Sequence, residues 1–238
     1  MLSVFQNLFS DIPMLLLRIP VILLALSLHE AAHGLAAYRM GDSTARSMGR
    51  LTLNPLKHLD PLGTVMMLLF GFGWARPVPI NPRNFKDPRR GMAITAAAGP
   101  ASNLVMGLVG LLFYHLFWLI MVRTGVLIEV GGAVYANTDS MFVVNLVSYT
   151  HLFFYLFYAL NVSLAVFNLL PVPPLDGSRI FLTFLPPRLY FQVMRYEHII
   201  RIVLLVGLWL GFLDKPLQLV VRAVMEGMEW LVGLIPIF

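Results

Sequence analysis

A run of apolar side chains from Ile12 to Leu28 ends on His29-Glu-Ala-Ala-His33, and that junction limits what the chain can become. The run is about long enough to cross a bilayer as a helix. On a helix, residues four apart share a face and lie about 6 Å apart along the axis. His29 and His33 can therefore close on one metal ion, while Glu30 sits beside them and can work on a water at that metal. H-E-x-x-H on a helix is the zinc metalloprotease pattern. Ionisable side chains at membrane depth are costly and mark function. Two histidines that merely end a helix are the weaker reading.

Of the 238 residues, 58% are hydrophobic and 12% charged, where soluble domains carry about 25% charged residues. Mean hydropathy is +0.79. The chain reads as one membrane-embedded domain over residues 1–238, with a catalytic core at about 12–180 and additional helices at about 195–238. The absence of cysteine rules out disulfides and thiolate ligands, so any metal must be held by histidine and carboxylate. The net charge of +5 could suit nucleic acid, but basic residues in a membrane protein mark cytoplasmic loops, and no nucleic-acid partner is expected. Met1 to Pro20 lacks a basic start followed by a small-residue cleavage site, so no removable signal peptide is expected.

The pattern along the chain predicts an all-α polytopic membrane protein. About five transmembrane helices are expected, with a re-entrant, partly extended segment between the first two. Residues 1–11 read as an amphipathic lead-in at the interface. The first helix runs from about Pro13 to Met40, bent at Pro20, with Gly41 as its stop. Arg46 to Asn54 alternates weakly and reads as a strand. Val65 to Phe72 is apolar but too short to span. Trp74 to Asn81 is extended, because Pro77, Pro79 and Pro82 disfavour helix before them. The second and third spans are Gly91–Val122 and Met141–Leu170, joined by a polar link at 123–140. Asn103 reads as interhelical glue, and His151 as a packed or interfacial histidine. Arg195–Phe212 and Pro216–Ile237 read as an antiparallel pair of further spans.

Nine of the 17 lysines and arginines fall between the first two helices, and Arg179, Arg188 and Arg195 follow the third before the next span, twelve in all on one side. The positive-inside rule makes that side cytoplasmic. His33 and Pro171 both end helices on that side. Topology alone thus brings the histidine pair and the Asp176 loop to one membrane face. A catalytic zinc takes three protein ligands and leaves a position for water. His115 and His151 lie at other depths, whereas Asp176, beside Gly177 on a broken helix end, can reach the pair. A turn carboxylate is the competing reading of Asp176.

Five motifs in order identify a resemblance. They are His29-Glu-Ala-Ala-His33, Asn54-Pro-Leu-Lys-His-Leu-Asp-Pro-Leu-Gly63, Trp74-Ala-Arg-Pro-Val-Pro-Ile-Asn81, Ala98-Gly-Pro-Ala-Ser-Asn103 and Asn168-Leu-Leu-Pro-Val-Pro-Pro-Leu-Asp-Gly177. Over residues 25–180 the chain resembles the site-2 protease family of intramembrane zinc metalloproteases, in its compact bacterial or archaeal form. The resemblance implies a three-helix catalytic core and one Zn2+ per chain held by His29, His33 and Asp176. It also implies Glu30 as general base, Asn168 as a donor to substrate or oxyanion, and cleavage of transmembrane protein substrates in a lipid bilayer. The expected location is the cell membrane, with the active site near the cytoplasmic face. The chain departs from the family in having Ser178 where a second glycine is common, and no stretch reads as a nucleotide-sensing or PDZ domain. Three other classes compete. A metal- or ion-binding carrier would use the same residues as an ion path, but no inverted repeat is visible. A lipid oxygenase would carry several histidine clusters, and there is one H-x-x-x-H pair. An inactive relative would have lost Glu30.

Overall fold

The computed structural model describes residues 12–63, 75–130 and 133–236. Helix α1 (Ile12–Arg39) is followed by a single turn, α2 (Thr44–Ser47), then by α3 (Pro88–Arg123). Strands β1 (Leu127–Val130) and β2 (Ala133–Ala136) form an antiparallel pair before α4 (Met141–Asn168). The remaining helices are α5 (Asp176–Phe181), α6 (Pro187–Arg195), α7 (Glu197–Trp209) and α8 (Asp214–Gly233).

Three helices, α1, α3 and α4, are long and apolar enough to cross a membrane. Their ends follow from local chemistry. Gly41 takes φ +107, and the Asp42 N–H closes on the Ala37 carbonyl, the glycine-capped stop expected at that residue. Asp87 caps α3 by accepting from the Arg89 and Arg90 N–H groups, with Pro88 in the first turn, where proline loses nothing. The spans meet through small residues. A Cβ on Gly107 would lie 3.0 Å from Val162, and one on Gly110 would lie 2.9 Å from Phe157, so α3 and α4 approach closely. Leu111, Tyr158, Val162, Val166 and Val232 form a buried cluster that brings α8 against α3 and α4.

Some expectations meet a different outcome. Arg46–Asn54 is not a strand: it starts inside α2, and Gly49 at φ +64 ends that turn. The Arg50 N–H then bonds the Ala45 carbonyl, so a helical cap consumes the backbone groups a strand would have paired. The polar link at 123–140 contains the β1–β2 hairpin. Of the expected C-terminal spans, α7 has 13 residues, and α8 has 20 with Asp214, Lys215, Arg222, Glu226 and Glu229 along it. Among the described residues, three helices meet the length and composition of a span. The lead-in at 1–11 and the apolar run Val65–Phe72 lie outside the described residues, whereas Ala75 bridges Leu59 and residues 76–81 form neither helix nor strand.

Candidate metal centre

His29, Glu30 and His33 lie in the C-terminal half of α1 and are all buried. The two imidazoles meet edge to face, with ring centroids 4.5 Å apart and their Nε2 atoms 3.0 Å apart. Asp176, in the first turn of α5, brings Oδ2 to 3.1 Å from Nε2 of His29 and 3.3 Å from Nε2 of His33. The chain reaches this point because Pro171-Val-Pro-Pro174 cannot continue α4. Gly177 then lets it fold back: a Cβ there would lie 2.2 Å from the Leu169 carbonyl oxygen.

The outer nitrogens of both rings are already engaged. His33 Nδ1 lies 2.7 Å from the Thr95 carbonyl, which can only accept, so that nitrogen carries the proton. His29 Nδ1 lies 2.5 Å from Asn103 Oδ1. A ring whose proton sits on Nδ1 alone turns its Nε2 lone pair toward the other ring and Asp176. Burial would raise the Asp176 carboxyl, yet the hydrogen bonds and charge of the His29 and His33 imidazoles against it hold it at about 2. Its buried Oδ2 faces both Nε2 atoms. The two Nε2 atoms and a carboxylate oxygen lie within 4.8 Å of one another, close enough for one metal ion to be held by all three. The N,N,O donor set suits zinc. His29, His33 and Asp176 form the group of candidate ligands found among the described residues.

Glu30 stands off that triangle. Its Oε2 accepts from the Val78 N–H at 2.8 Å, in segment 75–81. That segment is mounted at both ends. The buried Arg50 guanidinium donates to the Arg76 carbonyl at 2.7 Å and to the Pro77 carbonyl at 3.2 Å, and also to the Lys57 carbonyl. Asp42, fully buried, accepts from the Asn81 N–H at 2.7 Å and from Asn84 and Thr44. Burial would raise the Asp42 carboxyl, but these donors outweigh it and leave it below the ordinary carboxylate range.

Asn168 is not joined to the triangle. Its amide donates to the Leu164 carbonyl at 3.0 Å, and no hydrogen bond among the described residues links it to His29, His33 or Asp176. His115 pairs with Glu229 at 2.9 Å, and His151 stacks on Tyr114. Sequence reasoning missed the contact between Asn103 and His29, and the roles of Asp42, Arg50 and Val78. For Asn103 a signal existed, an amide at membrane depth among small residues. For the other three no pattern marks the contact, because each partner comes from a distant segment.

The model of peptidase family M50 matches residues 18–213. The protein named "Putative zinc metalloprotease YwhC" from Bacillus subtilis (strain 168) is 40% identical over 185 residues, which cover 78% of this chain and 76% of that one. The protein named "Putative zinc metalloprotease Rip2" from Mycolicibacterium smegmatis (strain ATCC 700084 / mc(2)155) is 31% identical over 160 residues, 65% of this chain and 52% of that one. No solved structure matches.

Proposed function

The chain belongs to peptidase family M50 and is a zinc metalloprotease, and from that premise we propose that it hydrolyses peptide bonds within or near the transmembrane segments of other membrane proteins. The observation that carries this reading is the triangle of His29, His33 and Asp176 at the end of an apolar helix long enough to span. A hydrolytic centre so placed meets substrates that are themselves in the bilayer.

In the proposed mechanism His29, His33 and Asp176 hold the metal. Zinc, when bound, polarises the scissile carbonyl and makes water a nucleophile near neutral pH. Glu30 takes the proton of the attacking water and returns it to the leaving amine. The Val78 N–H on Oε2 leaves Oε1 for that exchange. Asn168 turns from Leu164 and donates to the oxyanion, a contact worth about 3 kcal/mol in comparable sites. A helix hides its carbonyls, so a substrate must unwind before attack, and Gly, Pro or Asn near the cut would ease that step.

The whole chain is read as one protease domain in the cell membrane, with the active site near the cytoplasmic face. We read α7 and α8 as further membrane-embedded helices, and the packing of α8 on α3 and α4 supports this. The test uses full-length protein in detergent and in bilayers with a single-span substrate. Wild type is expected to contain one zinc and to cut the substrate. Glu30→Gln is expected to keep the zinc and lose at least ~100-fold in rate. Zinc without cleavage of any spanning substrate would favour the carrier, and full activity in Glu30→Gln would remove Glu30 as the base.

A further inference from the structure

The contact between His29 and Asn103 continues into the protein. Asn103 Nδ2 lies 2.8 Å from Asn161 Oδ1 and 3.3 Å from the Ala25 carbonyl. Asn161 Nδ2 lies 2.8 Å from the Phe157 carbonyl, one helical turn back on α4. Both asparagines are completely buried. The row thus joins all three spans, with Ala25 and His29 on α1, Asn103 on α3 and Asn161 on α4.

An amide side chain is ambiguous by itself, since either end can face a neighbour. Here the ambiguity is removed at the far end. The Phe157 carbonyl can only accept, so Asn161 must turn its NH2 there and its oxygen toward Asn103. Asn103 must then turn its NH2 toward Asn161, with the Ala25 carbonyl as a second, longer acceptor. That leaves Asn103 Oδ1 facing His29, where it can only accept. The proton of His29 is thereby confined to Nδ1 and its lone pair to Nε2, which points at His33 and Asp176. With the amide reversed, Asn103 would donate to Nδ1, and His29 would carry its proton on Nε2, between the candidate ligands.

We propose that Asn161 is a positioning residue for the metal centre. It sets the polarity of the amide row, and through Asn103 the tautomer in which His29 can bind the metal. This inference rests on the metalloprotease reading of the site. Partners that orient a metal-binding histidine typically change metal affinity 10–100-fold when removed. Asn161 would act at one remove, from a different helix.

The experiment measures zinc affinity of the purified full-length protein in detergent, by competition with a chromogenic chelator. Asn161→Thr and Asn161→Val have nearly the same shape. The threonine hydroxyl can donate to the Phe157 carbonyl four residues back and accept from Asn103, which keeps the polarity, whereas valine cannot. Asn161→Val is expected to bind zinc 10–100-fold more weakly, and Asn161→Thr close to wild type. In an Asn103→Asp background both carboxylate oxygens accept, so the orientation no longer depends on Asn161. There the Val and Thr variants are expected to bind zinc alike. Asn161→Ala against Asn161→Ser repeats the contrast at smaller volume if the larger pair does not fold. Equal affinities for Val and Thr in the native background would overturn the proposal, as would a loss that persists undiminished with Asn103→Asp, because loosened packing would explain it. A wild-type protein that binds no zinc would overturn the site as well. Zinc in wild type with no dependence on Asn161 would overturn this inference alone.

Discussion

A Cβ built on Gly99 would lie 2.4 Å from Nε2 of His33 and 2.6 Å from Cε1 of His29. That glycine is less a matter of backbone freedom than of room: α3 passes the imidazoles with no atom to spare. Asp176 is limiting in another way, as the donor from outside α1. The expected outcome is that Gly99→Ala and Asp176→Ala both lower zinc content, one by filling the site and one by removing a ligand. Gly227→Ala, where a Cβ meets nothing within 4 Å, leaves it unchanged. Elemental analysis of the three purified variants checks this. Full zinc in Asp176→Ala would place the third ligand elsewhere.

Segment 75–81 illustrates how an irregular element is held. Prolines at 77 and 79 leave Val78 as the sole backbone donor between Arg76 and Ile80, and that donor goes to Glu30. Asp42 anchors the far end. Its folded carboxyl lies below its ordinary value, so its contribution is present above the unfolded pKa of about 3.9 and is lost as pH falls through the folded one. Asp42→Asn should therefore cost roughly 1–3 kcal/mol at pH 7, a fall of several degrees in the midpoint of thermal unfolding. The gap to wild type should narrow in acid. Thermal unfolding of both proteins at pH 7 and pH 3 measures it, and a gap that stays constant with pH would show that Asp42 contributes through shape alone. The elements themselves were legible to different degrees. The three long helices, the Gly41 stop and the helix-free 75–81 stretch follow from apolar runs and from glycine and proline, which act locally. The α2 turn was not legible, because Arg46–Asn54 has a weak alternation that a helical cap overrides. Nor was the mount on Arg50 and Asp42, since a charged side chain gives no sign of which distant carbonyl or N–H it will meet.

At the scale of the molecule, α3 is 36 residues long, roughly 54 Å, against a hydrocarbon core of about 30 Å. It must project from the bilayer, and its first turn carries Arg89 and Arg90. Thr95 and Gly99, which touch His33, lie only a few turns in, which puts the histidine pair toward the basic side. The expected orientation has that side in the cytoplasm. Because the chain contains no cysteine, single substitutions can be labelled without background. Lys57→Cys is expected to react with an impermeant thiol reagent only from the cytoplasmic side, and Asp139→Cys only from the opposite side. The reverse pattern would invert the topology. The separation of the candidate ligands along the chain has a further consequence, one of timing. A nascent polypeptide carries His29 and His33 into the membrane with its first span, but Asp176 leaves the ribosome only after the third. On the proposed ligand set, a growing chain that has not yet exposed Asp176 holds only two of the three donors, so complete metal binding is expected only after the third span has been made.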